Sequence, residues 1–342
     1  MRILVISKWL ERSNGTSRCV YELTKRFQKE NDVRILTYSG HIDKEWETEL
    51  NPYKLRHIGI LALPEVRKII SEFKPDVIHS HDWLGLLTLG SGVPLVVTTH
   101  NHWPYDWFYS PKNFLAGICQ GIPHEFEMHI ADKVLSVSKF GQDLVKKRFI
   151  NSDVISHGID EIFFTVDAVK DLEKPCALLV GGVDRRKLEN LIPLLNYLDP
   201  SINVYICGKT SDTGIFTQLQ CHKNVHILGF VEDIRPYYRA ADVCISISKF
   251  ELFGFSILEA QACGCPVITF DTCAFPEIII DKETGFLVNW GNFDEMAQKI
   301  NIIVHNPPLR KKLGDKAIEN VKHRFRWDDK VRQYLEIFEK LS

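Results

Sequence analysis

Several common devices are missing from this chain. Its 342 residues carry a formal net charge of -2, so no field of one sign marks it for nucleic acid. No apolar run approaches the roughly 20 residues needed to cross a bilayer. Met1 leads directly into the strand-length run Arg2-Ile3-Leu4-Val5-Ile6 instead of a signal segment. These absences predict a cytoplasmic protein with no nucleic-acid partner. The nine cysteines are odd in number and scattered, and Cys263 and Cys265 form C-x-C, which is not a zinc spacing. They read as reduced, mostly core residues. There is no G-x-G-x-x-G, no P-loop lysine motif and no G-x-S-x-G. An Asp-x-Asp pair is also absent, which argues against a metal held by paired carboxylates and predicts no cofactor.

What is present is alternation. Hydrophobic content of 45% and charged content of 25% fit a globular chain long enough for about two domains. Strand-like runs occur at Ile3–Ile6, Val33–Tyr38, Val77–His79, Leu95–Thr98 and Val134–Val137. Helical patterns at Ser17–Gln28, Pro64–Phe73, Pro111–Ile130 and Lys139–Phe149 lie between and after them. The pattern then restarts, with strands at Ala177–Val180, Val204–Cys207, Val225–Leu228, Val243–Ile247 and Val267–Phe270. Helices are expected near Lys187–Leu198, Ile234–Ala241, Ser256–Cys263 and Asp294–Val304. Near-continuous apolar strands alternating with helices predict parallel sheets covered on both faces. The expected α/β organisation is two facing Rossmann-like doubly wound domains with a ligand cleft between them. Residues 1–163 form the first domain, 164–175 a polar linker and 176–326 the second domain. The amphipathic stretch Trp327–Leu341 within 327–342 is a terminal packing helix, open to either domain.

The segment from Glu251 to Ile268 carries the most chemistry. Two glutamates, Glu251 and Glu259, bracket the turn Phe253-Gly254-Phe255 and the start of a helix that Gly264 and Pro266 stop. Amides at a helix start favour an anion, and carboxylates accept from hydroxyls. An anion flanked by hydroxyls describes a nucleotide-sugar. Glu259 needs a partner if buried, such as a ribose diol; exposure on the polar face accounts for it equally well. Gly15, in Ser13-Asn14-Gly15-Thr16-Ser17, would let an anion approach the first helix, although an ordinary capped turn has the same residues. Gly181-Gly182-Val183-Asp184-Arg185-Arg186-Lys187 follows a strand and reads either as a second anion site or as a solvated basic loop. His100 ends a strand, as do His79 and His81, and could serve a phosphate, a sugar hydroxyl or a proton relay; a structural histidine is the alternative. The run Trp103-Pro104-Tyr105-Asp106-Trp107-Phe108-Tyr109 suits sugar stacking, lipid contact or loop packing.

These residues together resemble the retaining glycosyltransferases of family 4, which have the two-Rossmann-domain GT-B architecture. The E-x7-E run from Glu251 to Ile268 carries most of the resemblance. Collinear pieces extend it over nearly the whole chain: Pro75–His81, Pro94–His100, Ala131–Ser138, Ser156–Asp160, Gly229–Val231, Tyr238–Asp242 and Thr284–Val288. The resemblance implies a hexosyltransferase moving a sugar from a nucleotide-diphosphate donor to a hydroxyl of a glycan, lipid-linked or small-molecule acceptor. Glu251 would contact the transferred sugar and Glu259 the ribose. Amides of Phe253, Gly254 and Phe255 would meet sugar and phosphate, and Gly15 would admit the pyrophosphate. His100 would touch the sugar and the phosphate side of the scissile bond. Lys187 matches the family's diphosphate lysine, whereas Gly182 stands where the family carries arginine, a gap that Arg185 or Arg186 could fill. Asn14 replaces the first glycine of the family's usual pair. In some members the C-terminal helix crosses back to the first domain, and many act at the inner membrane face, so peripheral membrane contact is an expected option. A catalytically degenerate sugar-binding protein and a nucleotide-sugar epimerase are the competing readings.

Overall fold

Strand burial explains the architecture. The computed structural model describes residues 1–11, 15–38, 42–57, 59–100, 117–165, 168–182 and 185–342, with the side chains of Arg185 and Arg186 also outside the description. The chain forms two units, Met1–Gly158 with Trp327–Ser342, and Ile159–Arg326. The division falls ahead of the boundary expected at residue 163.

In the first unit, the strands are β1 (Arg2–Ile6), β2 (Asp32–Tyr38), β3 (Tyr53–Leu55), β4 (Val77–Ser80), β5 (Leu95–Thr99), β6 (Lys133–Ser136) and β7 (Ser152–Val154). They form one parallel sheet in the order β3-β2-β1-β4-β5-β6-β7. β4 and β5 are buried along their whole length, which is why they read as unbroken apolar runs. The helices are α1 (Gly15–Phe27), α2 (Lys44–Leu50), α3 (Leu63–Phe73), α4 (Ile122–Ile130) and α5 (Lys139–Lys146). α4 is preceded by a π-helical turn at Gly117–Gly121, and the expected helix start at residues 111–116 lies outside the described residues. Leu4, Ile6, Leu36, Ile78 and Val97 lie in the core on one face of this sheet.

The second unit repeats the winding. Its strands are β8 (Cys176–Val180), β9 (Asn203–Cys207), β10 (Val225–Gly229), β11 (Val243–Ser246), β12 (Val267–Phe270) and β13 (Gly285–Val288), all parallel, in the order β10-β9-β8-β11-β12-β13. Its helices are α6 (Arg185–Leu188), α7 (Leu191–Leu195), α8 (Thr213–Gln220), α9 (Arg235–Ala240), α10 (Phe255–Ala262), α11 (Phe275–Ile278), α12 (Phe293–Val304) and α13 (Pro307–Arg324). The single helix expected at 187–198 is two short ones. The polar segment before β8 runs along this same unit: Lys170 N donates to Pro236 O at 3.0 Å, and Lys174 Nζ lies 2.8 Å from Asp242 Oδ1.

The final helix, α14 (Trp327–Leu341), belongs to the first unit. Tyr334 and Phe338 on its apolar stripe are fully buried. Their rings lie 6.1 and 5.6 Å from that of Phe27 on α1 and 5.1 and 5.2 Å from that of His79. The edge-on geometry toward Phe27 is the favoured one for aromatic pairs.

In both sheets the winding reverses beside the first strand, between β1 and β4 and between β8 and β11. Crevices at the carboxyl ends of strands flanking such a reversal are where open α/β sheets take ligands.

Candidate functional site

Within the second unit, the reversal gathers the candidate donor residues. β8 ends at Val180 and runs into Gly181 and Gly182, and α6 then carries Lys187. β11 ends at Ser246, and the following loop carries Glu251. Lys187 Nζ and Glu251 Oε1 lie 3.3 Å apart, with side chains 34% and 20% exposed. Ser248 Oγ reaches the same carboxylate oxygen at 3.5 Å.

The backbone around this pair is closely specified. Asn190 Nδ2 donates to Ile247 O at 2.9 Å, tying the loop after β11 to the start of α7. Ala274 N donates to Glu251 O at 3.3 Å. Gly208, at the end of β9, is needed for close approach: a Cβ there would lie 1.9 Å from Gly181 O. Gly254 has φ of 100°, a left-handed value that glycine adopts without steric cost, and it opens α10 with no side-chain cap. The α10 amino end is therefore suited to an anion. Phe253 is buried against Phe255 and Phe325, with ring centroids 5.1 and 6.1 Å away, which fixes the turn.

Glu259 lies inside α10 and is only 3% exposed, so the exposed reading of this residue is overturned. Tyr238 Oη, from α9, donates to Glu259 Oε2 at 3.2 Å. This partner was not legible from spacing along the chain, because Tyr238 lies on a separate helix.

The first unit holds the other two candidates. Gly15 is the first residue of α1 and is exposed; Ser13 and Asn14 lie outside the described residues. His100 follows β5 and is half-buried. Its Nε2 is 2.9 Å from His81 Nδ1, and its ring stacks on His157 at a 5.2 Å centroid distance and 9° between planes. His79 lies against His81 at 4.2 Å. Burial, reinforced by the neighbouring imidazoles, pushes His81 well below the ordinary histidine range. It also lowers His157, with His100 and Lys330 adding to the effect, and brings His79 to about 3, with His100 adding.

A second buried polar network was not legible in the sequence. Ser80 Oγ donates to Glu127 Oε1 at 2.7 Å, and His124 Nδ1 meets Glu127 Oε2 at 2.9 Å. His124 Nε2 is 3.3 Å from Thr99 Oγ1. Burial raises the Glu127 carboxyl above its usual range. The i, i+3 spacing of His124 and Glu127 on α4 was the one available signal. The aromatic run 103–109 lies outside the described residues, as do Asn101 and His102.

The candidates thus fall into two sets, Gly15 and His100 in one unit, and Lys187, Glu251, Phe253, Gly254, Phe255 and Glu259 in the other. Among the described residues no helix is long and apolar enough to cross a membrane.

Comparisons with known proteins identify the family and the fold. The family model described as Glycosyltransferase Family 4 matches residues 13–162, and that described as Glycosyl transferases group 1 matches residues 161–320. An alpha-maltose-1-phosphate synthase of Mycolicibacterium smegmatis is 26% identical over 318 residues, covering 78% of this chain and 79% of the relative. An uncharacterized glycosyltransferase of Methanocaldococcus jannaschii is 24% identical over 375 residues, covering 100% of this chain and 99% of the relative. Among solved structures, Anabaena HepE in complex with UDP and glucose has a TM-score of 0.81 at 18% identity, with 100% of both chains covered. Sucrose-phosphate synthase from Thermosynechococcus elongatus has a TM-score of 0.81 at 20% identity, covering 100% of this chain and 99% of that one. Both structural likenesses concern the fold, two parallel-sheet α/β domains of the GT-B kind. The chain belongs to the group 1, family 4 glycosyltransferases and is a glycosyltransferase.

Proposed function

We propose that this enzyme transfers a hexose from a nucleotide-diphosphate sugar to an acceptor hydroxyl, with retention at the anomeric carbon. The observation that carries the reading is the Lys187–Glu251 pair at the carboxyl ends of β8 and β11, beside the glycine-opened α10. A lysine there supplies positive charge to a departing diphosphate, and a carboxylate accepts from sugar hydroxyls. Glu259, held by Tyr238, is the candidate for the ribose diol. His100 is the candidate contact for the transferred sugar and the phosphate oxygens. Departure of the diphosphate leaves positive charge on the sugar, and the acceptor oxygen adds on the same face while its proton passes to the leaving phosphate oxygen.

UDP-linked hexoses are the donors to test first, since HepE was solved with UDP and glucose. The acceptor class is a glycan, a lipid-linked sugar or a small polyol, with peripheral contact at a membrane surface for the lipid-linked case. Transfer should proceed without added divalent cation, because Asp-x-Asp is absent and Lys187 supplies charge to the phosphates. The test is a panel of nucleotide-sugars incubated with enzyme and pooled acceptors, followed by mass spectrometry and by NMR of the anomeric proton. Donor consumption with an axial product linkage from an axial donor supports the reading. An inverted product, or an epimerised donor without transfer, overturns it.

A further inference from the structure

The histidine ladder of the first unit has a cysteine at its side. Cys19, on α1, is fully buried, and its Sγ is 3.1 Å from His157 Nδ1. Cys19 Sγ and one ring nitrogen each of His81 and His100 all lie within 4.8 Å of one another. Three ligands around a tetrahedral zinc ion, with bonds of about 2.0 Å to nitrogen and about 2.3 Å to sulfur, sit roughly 3.3–3.6 Å apart. The largest separation, within 4.8 Å, exceeds that spacing by no more than about 1.5 Å.

Two further observations point to a ligand. His81 Nε2 is buried and has no hydrogen-bond partner among the described residues, a costly state for an imidazole nitrogen. His100 is half-buried while Cys19 and His81 are enclosed, so one side of the cluster is open to solvent. A plain structural histidine network leaves the His81 nitrogen unexplained.

We propose that Cys19, His81 and His100 form a binding site for a soft divalent cation of the zinc class. Thiol and imidazole donors select zinc or cobalt over magnesium or calcium, which take oxygen ligands. As the sulfur–metal bond forms, the Cys19 thiol proton is released to solvent, and the metal keeps a solvent molecule in its fourth position. The ion is no part of the transfer chemistry. It occupies His100, so its binding should inhibit transfer; that consequence, unlike the site itself, rests on the role proposed above for His100.

Cobalt(II) titration of the anaerobic, reduced, full-length protein tests the site. One equivalent should produce a thiolate-to-cobalt charge-transfer band and tetrahedral d–d bands, which zinc then removes by displacement. Cys19→Ser should abolish the charge-transfer band and weaken zinc binding by at least about tenfold. A Cys119→Ser/Cys221→Ser variant, lacking the two exposed thiols, should keep the band. If Cys19→Ser does not fold by circular dichroism, His81→Gln replaces it; it should weaken cobalt and zinc binding by at least about tenfold, so that the band at one equivalent falls. Absence of the band in the wild type, or a band unchanged in the folded variant, overturns the site. Zinc should inhibit transfer in the wild type and not in Cys19→Ser. Full activity of the metal-loaded wild type would leave the spectroscopic site standing and remove His100 from the substrate.

Discussion

Lys187 Nζ sits 3.3 Å from Glu251 Oε1, so the cation proposed for the phosphates and the carboxylate proposed for the sugar neutralise each other before substrate arrives. The pair is part-exposed, and such pairs contribute only about 0.2–1 kcal/mol to folding. The role proposed for it is in catalysis. Lys187→Met should lower kcat/KM by about 100- to 1,000-fold, the cost of losing one preorganised donor, while the melting temperature barely changes. Glu251→Gln should lower kcat in the same way. A double variant whose loss is far from the product of the single losses would show that the two act as a unit.

Glu259 separates binding from stability. Tyr238→Phe removes the hydroxyl that donates to a buried carboxylate, and should destabilise the second unit by about 1.5–3 kcal/mol, measurable in urea. Glu259→Gln retains the shape and the acceptor for Tyr238. It should raise the donor KM with less effect on folding, and an unchanged KM would remove Glu259 from the donor site.

Gly208→Ala tests the close approach of backbones at the ends of β8 and β9. The added methyl meets Gly181 O at 1.9 Å, and backbone cannot swing aside as a flexible side chain can. A loss of about 1–3 kcal/mol is expected. Displacement of Gly181 also moves the turn leading to Lys187, so donor affinity should fall even where the variant remains folded.

Acid should destabilise the first unit. His79, His81 and His157 have depressed values when folded, so the unfolded chain binds more protons below about pH 6.5. Their contribution is intact above that pH and declines as pH falls, by up to about 1.4 kcal/mol per pH unit for each histidine. Asp82 and Glu127, whose carboxyls burial raises, act in the opposite sense above about pH 4, but they are two groups against three. Melting temperature should therefore drop between pH 7 and pH 5, and His79→Gln should flatten that slope.

Much of the architecture was legible because the central strands are buried on both faces. β1, β4, β5, β8, β11 and β12 appear in the sequence as short apolar runs with boundaries off by a residue or so. β3 and β7, three-residue edge strands, have no such run. α13 was missed because its buried face includes the small residues Gly314 and Ala317, which give little amphipathic signal. At the break between α6 and α7, Asn190 reaches Ile247 O, a contact between segments far apart in the chain.

The candidate site was legible where chemistry is local. Glu251, Gly254 and Glu259 share one segment, so their spacing could be read directly. Tyr238 beneath Glu259, and Cys19 beside His157, are products of the sheet winding, and no spacing along the chain encodes them.

The return of α14 to the first unit makes that unit discontinuous in synthesis. Residues 1–158 leave the ribosome lacking Tyr334 and Phe338, which complete the packing against Phe27 and His79. The intervening unit, Ile159–Arg326, can close its own core first. A nascent chain stalled after Arg326 would thus hold one finished half and one with an uncovered aromatic face, a natural client for chaperones until the final helix emerges.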